Sequence, residues 1–414
     1  MSTASRKAAV SLVAALSLGS LAACGSSNNS AADGSSQGGD AATTAAAGGI
    51  TQVAVTLASG ADGDTCTPSI TTAPAGPITF TVKNESATGI TEFELLQDQK
   101  IIGEKESLAP GLPASKITLT LGGGSYQIYC PGAATETIDF TVTGEASASP
   151  TGSAATLLAE GAKEYAQYAT TQIEAMVTAV ESLQKAVDAG NIAEAQKQYG
   201  LARPFYEKIE SDVEGFVLPG FKPTDNHGNL DYLVDMRASN LDQAVGWHGF
   251  HAVERDIFQA QRITADTKKL AAELTTNVKK LAELSKSLTY KPEDLANGAA
   301  GLLEEVQANK ISGEEEKYSH IDLVDFAANV EGAQQAFAYL KPGLKELDAS
   351  LTDTIGQRFD TVNAMLDTYR DPSQIGGYQR YTEALKKADA NKLSQTVQAL
   401  QDALSHLAEK VATA

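Results

Sequence analysis

Between Thr51 and about Gly144, apolar and polar residues alternate one by one. Ile78-Thr-Phe-Thr-Val82, Thr91-Glu-Phe-Glu-Leu95, Lys116-Ile-Thr-Leu-Thr-Leu121 and Thr137-Ile-Asp-Phe-Thr-Val142 all follow this period, which is that of strands with one buried face. Gly and Pro clusters separate the runs, and seven or so short strands in under about 100 residues predict a small all-β sandwich. From Ala155 the period changes. Ala/Leu/Glu/Lys/Gln segments over about 160–190, 192–215, 231–262, 264–288, 292–310, 321–340, 343–369, 374–388 and 390–413 repeat apolar residues three and four apart. Leu393, Val397, Leu400, Leu404 and Leu407 are an example. This is the pattern of amphipathic helices, and helices joined by short loops predict a bundle or a pair of bundles.

Two stretches fit neither period. Arg6 and Lys7 precede an apolar run from Ala8 to Ala23 that ends in Leu21-Ala22-Ala23-Cys24. That is the shape of a secretory signal over 1–23, too short for a spanning helix. Small residues before a Cys resemble the lipobox of bacterial lipoproteins, in which the cysteine, here Cys24, carries the lipid. Residues 24–50 are nearly all Gly, Ser, Ala, Asn, Asp and Thr. They cannot bury a core and read as a flexible tether, reaching roughly 25–30 Å. Residues 145–155 read as a second linker. The expected order is therefore signal, lipidated tether, β domain (51–144), linker and helical domain (156–414), on the extracytoplasmic face of a cell membrane or in the periplasm.

The net charge of −20 argues against nucleic acid as a partner and against a basic membrane-docking face. With Cys24 set aside, Cys66 and Cys130 are the cysteines that remain. In an oxidising compartment such a pair forms a disulfide or binds metal.

The chain has only five histidines, and two of them fall in Gly246-Trp-His-Gly-Phe-His-Ala-Val-Glu254. On a helix His251 and Glu254 share a face, and inward-facing Glu and His at this spacing build metal sites in bundles. Imidazole with carboxylate suits Fe, Mn, Zn or Cu(II) better than a soft ion. The same spacing also serves a surface ion pair. Further acids stand at Glu207 and Glu210, at Asp231 and Asp235, and in the Glu314–Glu316 run. Each of these also reads as a solvated face or an acid-enriched helix start. His248 reads as a core residue or a support for His251.

Tyr206-Glu-Lys-Ile-Glu210, Leu230-Asp-Tyr-Leu-Val-Asp-Met-Arg237, Gly249-Phe-His-Ala-Val-Glu254 and the block from Lys310 to Asn329 resemble the imelysin-like domain. From about residue 51 to 414 the chain resembles the EfeO-type iron-uptake lipoproteins. The resemblance implies an N-terminal cupredoxin-like sandwich and a helical domain of two four-helix bundles with a metal site between them. It implies Glu207, Glu210, Asp235, His251 and Glu254 as ligands, with one more acid from the Glu314–Glu316 run, taken as Glu314 on spacing. Val217 to Asn229 departs from the family pattern, which leaves Asp231 as an alternative to Asp235. A membrane iron permease and a haem peroxidase are the implied partners.

In the β domain, Ser125-Tyr-Gln-Ile-Tyr-Cys130 ends a strand with a Cys, as cupredoxins do. Residues 51–145 contain no His, so a blue-copper centre, which needs two, is excluded. What the resemblance leaves is a copper or iron site of Cys66 and Cys130 with Glu92 or Glu94, or a structural disulfide.

The expected function is capture of iron (Fe2+ or Fe3+, with Cu2+ or Zn2+ as ions the same donors accept) and its delivery to the permease, without enzymatic activity. A metallopeptidase is the first alternative, but no His-Glu pair occurs in the chain, so the zincin motif His-Glu-x-x-His is absent. A polysaccharide-binding protein is the second, although Trp247 is the sole tryptophan.

Overall fold

The alternating segment folds as two sheets packed face to face, as seen in a computed structural model that describes residues 49–98, 100–145, 151–213 and 215–414. The signal (1–23), Cys24, the tether to residue 48 and residues 146–150 of the linker lie outside the described residues. In the β domain the strands are β1 (Thr51–Gly60), β2 (Gly63–Pro68), β3 (Thr72–Pro74), β4 (Gly76–Asn84) and β5 (Phe93–Gln97). They continue with β6 (Lys100–Lys105), β7 (Ser115–Leu121), β8 (Gly124–Tyr129) and β9 (Thr137–Thr143). One sheet has the order β2-β1-β4-β7 and the other β3-β9-β8-β5-β6. The inward residues of both sheets, among them Val53, Val55, Phe80, Val82, Phe93, Ile128 and Phe140, form one apolar core. Cys66 on β2 and Cys130 just after β8 are joined in a disulfide that ties one sheet to the other.

The helical domain comprises α1 (Ser153–Asp188), α2 (Ile192–Glu207), α3 (Glu210–Val213), α4 (Leu230–Asp235), α5 (Gly249–Glu254) and α6 (Ala265–Leu284). It is completed by α7 (Pro292–Glu305), α8 (Asp322–Leu347), α9 (Ala349–Asp367), α10 (Glu383–Leu404) and α11 (Leu407–Ala412). α1 packs against α2, α6 and α8; α8 also packs against α7 and α9, and α10 against α9 and α7. The two groups of helices thus share α8 and a continuous apolar core. Among the described residues no helix is long and apolar enough to cross a membrane.

Several expected helix limits shift, and local features explain the main shifts. The span 231–262 is not one helix. Gly249 has φ +68°, and a Cβ there would sit 2.1 Å from the Val234 carbonyl oxygen, so the chain turns back and α5 lies beside α4. Tyr232 holds the loop between them, donating to the Gly246 carbonyl at 2.9 Å. The span 192–215 breaks at Lys208 into α2 and α3. Pro342 does not end α8, which runs on to Leu347; the break comes at Asp348, whose carboxylate caps α9 at the Leu351 N–H, 2.9 Å away. Residues 374–382 are mostly irregular around Gly376 (φ +71°) and Gly377 (φ +78°), and α10 starts after Thr382, which caps it.

β7 is an edge strand, and α7 covers it. The Asn297 side chain accepts from the Thr118 N–H (3.3 Å) and donates to the Thr118 carbonyl (2.7 Å), giving the open edge the partners it lacks. Lys105 and Glu304 form an ion pair of 2.9 Å beside it.

Candidate metal centre

α2 presents Tyr199, Arg203 and Glu207 on one stripe, four residues apart, and all three are fully buried. α4 ends at Asp235, and the tight turn at Gly249 brings α5 against it, so that His251 meets Asp235. A loop between α7 and α8 supplies Glu315 and Glu316. Both α5 and α7 continue into a turn of π-helix, Arg255–Gln259 and Val306–Lys310, a distortion often found at functional sites. The second carries Lys310 into the cluster.

His251 is the hub. Its Nδ1 lies 3.0 Å from Glu254 Oε2, and its Nε2 lies 3.3 Å from Glu315 Oε1 and 3.5 Å from Asp235 Oδ1. The other Glu254 oxygen accepts the Tyr318 and Ser319 N–H groups, each at 2.7 Å, which fixes the carboxylate against the ring. Tyr199 donates to Glu316 Oε1 at 2.8 Å and stands 3.4 Å from His251 Nδ1. Among the described residues, the groups of ligand atoms close enough to share one ion are Asp235–His251–Glu315 and His251–Glu254–Glu316.

Around this hub lie more buried acids, two buried cations and the half-buried Arg237. Arg203 contacts Glu207, Asp235, Glu315, Glu316 and Asp325. Lys310 reaches Glu207 (3.2 Å), Glu210 (3.3 Å) and Glu315 (3.3 Å). Arg237 reaches Glu305 (3.1 Å) and Glu315 (3.3 Å). Burial opposes charge on His251, but its bonds to Glu254 and Glu315 outweigh that and hold its pKa well above the usual value. Burial pushes Asp235 up to about 7 against the pull of Arg203 and His251. Burial and then the neighbouring Glu254 push Glu316 up to about 8. Burial also acts on Glu315, yet Lys310, Arg237 and His251 overcome it and hold that carboxyl well below its usual range. The cluster therefore has more carboxyls than its cations neutralise, and protons cover part of the difference.

Of the residues singled out from sequence, Glu207, Glu210, Asp235, His251 and Glu254 all lie in this cluster, although Glu207 and Glu210 meet Lys310 rather than His251. Glu314 does not join it: Glu315 and Glu316 face His251 instead, because Gly313 (φ +69°) turns the chain just before the acidic run. Asp231 is one turn of α4 away from Asp235 and accepts from the Tyr206 hydroxyl. His248 pairs with Glu273 of α6 (2.9 Å) rather than with His251. In the β domain, Cys66 and Cys130 bond to each other and, among the described residues, form no ion-sized group with Glu92 or Glu94; of the two expected alternatives, the structure has the disulfide. Glu94 keeps an oxygen buried without a hydrogen bond, and burial followed by its neighbour Glu92 pushes it up to about 8.

Arg203, Lys310, Arg237, Tyr199 and Asp325 were missed. Their signal was present in part. Tyr199, Arg203 and Glu207 sit on the face of α2 that also carries Ala195, Ala202 and Tyr206, so a charged pair interrupts an apolar stripe.

The imelysin family (peptidase M75) matches residues 161–411. Over most of its length, the chain is 35% identical over 362 residues to the iron uptake system component EfeO of Yersinia pestis, covering 86% of this chain and 90% of that protein. It is 33% identical to the protein of the same name from Escherichia coli O6:H1, covering 86% of this chain and 91% of that one. With its β sandwich, its helical domain and its buried His251 cluster, the chain belongs to the imelysin family and, within it, to the EfeO type.

Proposed function

We propose that this chain captures iron for uptake, holding the ion at His251 with Glu254 and Glu316 or with Asp235 and Glu315. The observation that carries this reading is that both ring nitrogens of one buried histidine face carboxylate oxygens. The donors suit the cargo. Imidazole and carboxylate oxygen match iron and disfavour a soft ion such as Cu(I). Asp325 Oδ1 and Asp322 Oδ2 are buried acid oxygens without hydrogen bonds, a cost that added positive charge offsets. Relatives named as iron uptake components supply the biological context. In the same reading the ion passes to a membrane permease, a haem peroxidase belongs to the same system, and lipid on Cys24 keeps the protein at the extracytoplasmic membrane face.

A peptidase reading is disfavoured by burial. His251, Glu254, Glu315 and Glu316 are each at most 2% exposed, so a polypeptide has no access to them. The test is calorimetric titration of the full chain with Fe(II), Fe(III), Zn(II) and Cu(II), beside the variant carrying His251→Ala and Glu254→Ala. Tight iron binding lost in the variant supports the reading, and unchanged affinity contradicts it.

A further inference from the structure

Both carboxylate oxygens that face His251 Nε2, those of Glu315 and Asp235, also hold Arg203. Glu315 Oε1 lies 3.3 Å from His251 Nε2 and 3.2 Å from Arg203 Nη2. Asp235 Oδ1 lies 3.5 Å from His251 Nε2 and also accepts from Arg203 Nη1. Glu316 Oε1 lies 3.1 Å from Arg203 Nε while accepting from Tyr199. Each ion-sized group therefore shares at least one carboxylate with the guanidinium. Arg203 itself is fully buried, with the ring of Phe250 5.1 Å from its guanidinium carbon. Water cannot take over its partners.

A metal ion and a guanidinium cannot both hold these oxygens at full strength, since each neutralises the same charge at close range in a poorly screened interior. Building on the iron-capture reading, we propose that Arg203 is a resident counter-cation that exchanges with the ion. When the site is empty, the guanidinium holds Asp235, Glu315 and Glu316 together and prevents their mutual repulsion from opening the cluster. When an ion binds, those oxygens turn from Arg203 to the metal, and Asp325 and Glu207 keep the guanidinium in place. When the ion leaves, Arg203 takes the oxygens back. Arg203 thus lowers affinity and speeds release, which suits a protein that must surrender its cargo. It acts on the ion through the ligands and is a positioning residue.

The test uses the full chain and Zn(II), a redox-inert probe, with wild type, Arg203→Lys and Arg203→Gln. Affinity is read by competition with a chelating dye, and release by transfer to excess EDTA. Arg203→Gln, which removes the charge, is expected to bind Zn(II) about tenfold or more tightly and to release it correspondingly more slowly. Arg203→Lys, which keeps the charge but loses the fork of donors, is expected to fall between wild type and Arg203→Gln. A purely structural role would weaken binding, so equal or weaker binding by folded Arg203→Gln overturns the proposal. If Arg203→Gln loses helical circular dichroism without metal, Zn(II) should restore it, and failure to restore it also overturns the proposal. A wild type that binds neither Zn(II) nor Fe(II) overturns the iron-capture reading itself.

Discussion

The two domains treat buried polarity in opposite ways. The sandwich buries few ionisable groups, chiefly Glu94 and Lys105, and ties its two sheets together with one disulfide. The helical domain buries Arg203, Glu207, Glu210, Asp235, His251, Glu254, Lys310, Glu315, Glu316 and Asp325 together. Buried ion pairs rarely gain stability over well-packed apolar residues. A cluster with surplus carboxyls is therefore poor scaffolding, and a site for a cation explains its presence better than stability does. The sandwich, by contrast, uses its cysteines for stability and keeps no thiolate to offer.

The largest expected effect separates the roles within the acidic run. Glu315→Ala removes the shared partner of His251, Arg203, Lys310 and Arg237, and should destabilise the helical domain by about 3–5 kcal/mol in urea unfolding; tight Zn(II) binding is lost with it if the ion sits with Asp235 and Glu315, and persists if the ion sits with Glu254 and Glu316. Glu314→Ala, one residue away, should change stability by less than about 0.5 kcal/mol and leave binding intact. A reversal of these two results would restore Glu314 as the ligand.

Next in size is the disulfide. Cys66 and Cys130 are 64 residues apart, and replacing both with Ala should cost the sandwich about 4 kcal/mol through the lost chain constraint. Zn(II) affinity should not move. A drop in affinity would place the ion in the β domain.

The pH dependence is smaller. Asp235 and Glu316, with pKa values raised to about 7 and about 8, must lose their protons to coordinate an ion. Below those values protons compete with the metal; above them both carboxylates are free, and His251, whose pKa is raised too, gives up its own proton to the binding ion. Zn(II) affinity should therefore rise between about pH 6 and pH 8.5, with proton release on binding seen by calorimetry in buffers of different ionisation enthalpy. A flat or falling profile would remove these two carboxyls from the ligand set.

How much of this was legible in the sequence differs between the domains for a physical reason. Strand alternation and helix spacing report which face is buried, and they placed the sandwich and most helices. They do not report how the chain turns between elements. Gly249 broke an expected long helix because a backbone from α4 passes where its side chain would be. In the acidic run, spacing favoured Glu314, whereas the turn at Gly313 and the left-handed residue His320 (φ 57°) present Glu315 and Glu316. Arg203 carried the weakest signal, because a charge on a helix is normally solvated and only the packing of α2 against α5 and α8 buries it.

The decisive measurement is anomalous diffraction at the metal absorption edge from crystals of the full chain grown with Fe(II) or Zn(II). The expected result is a peak about 2.1 Å from a His251 ring nitrogen, flanked by oxygens of Glu254 and Glu316 or of Asp235 and Glu315. A principal peak in the sandwich beside Cys66 and Cys130, with nothing at His251, would contradict it.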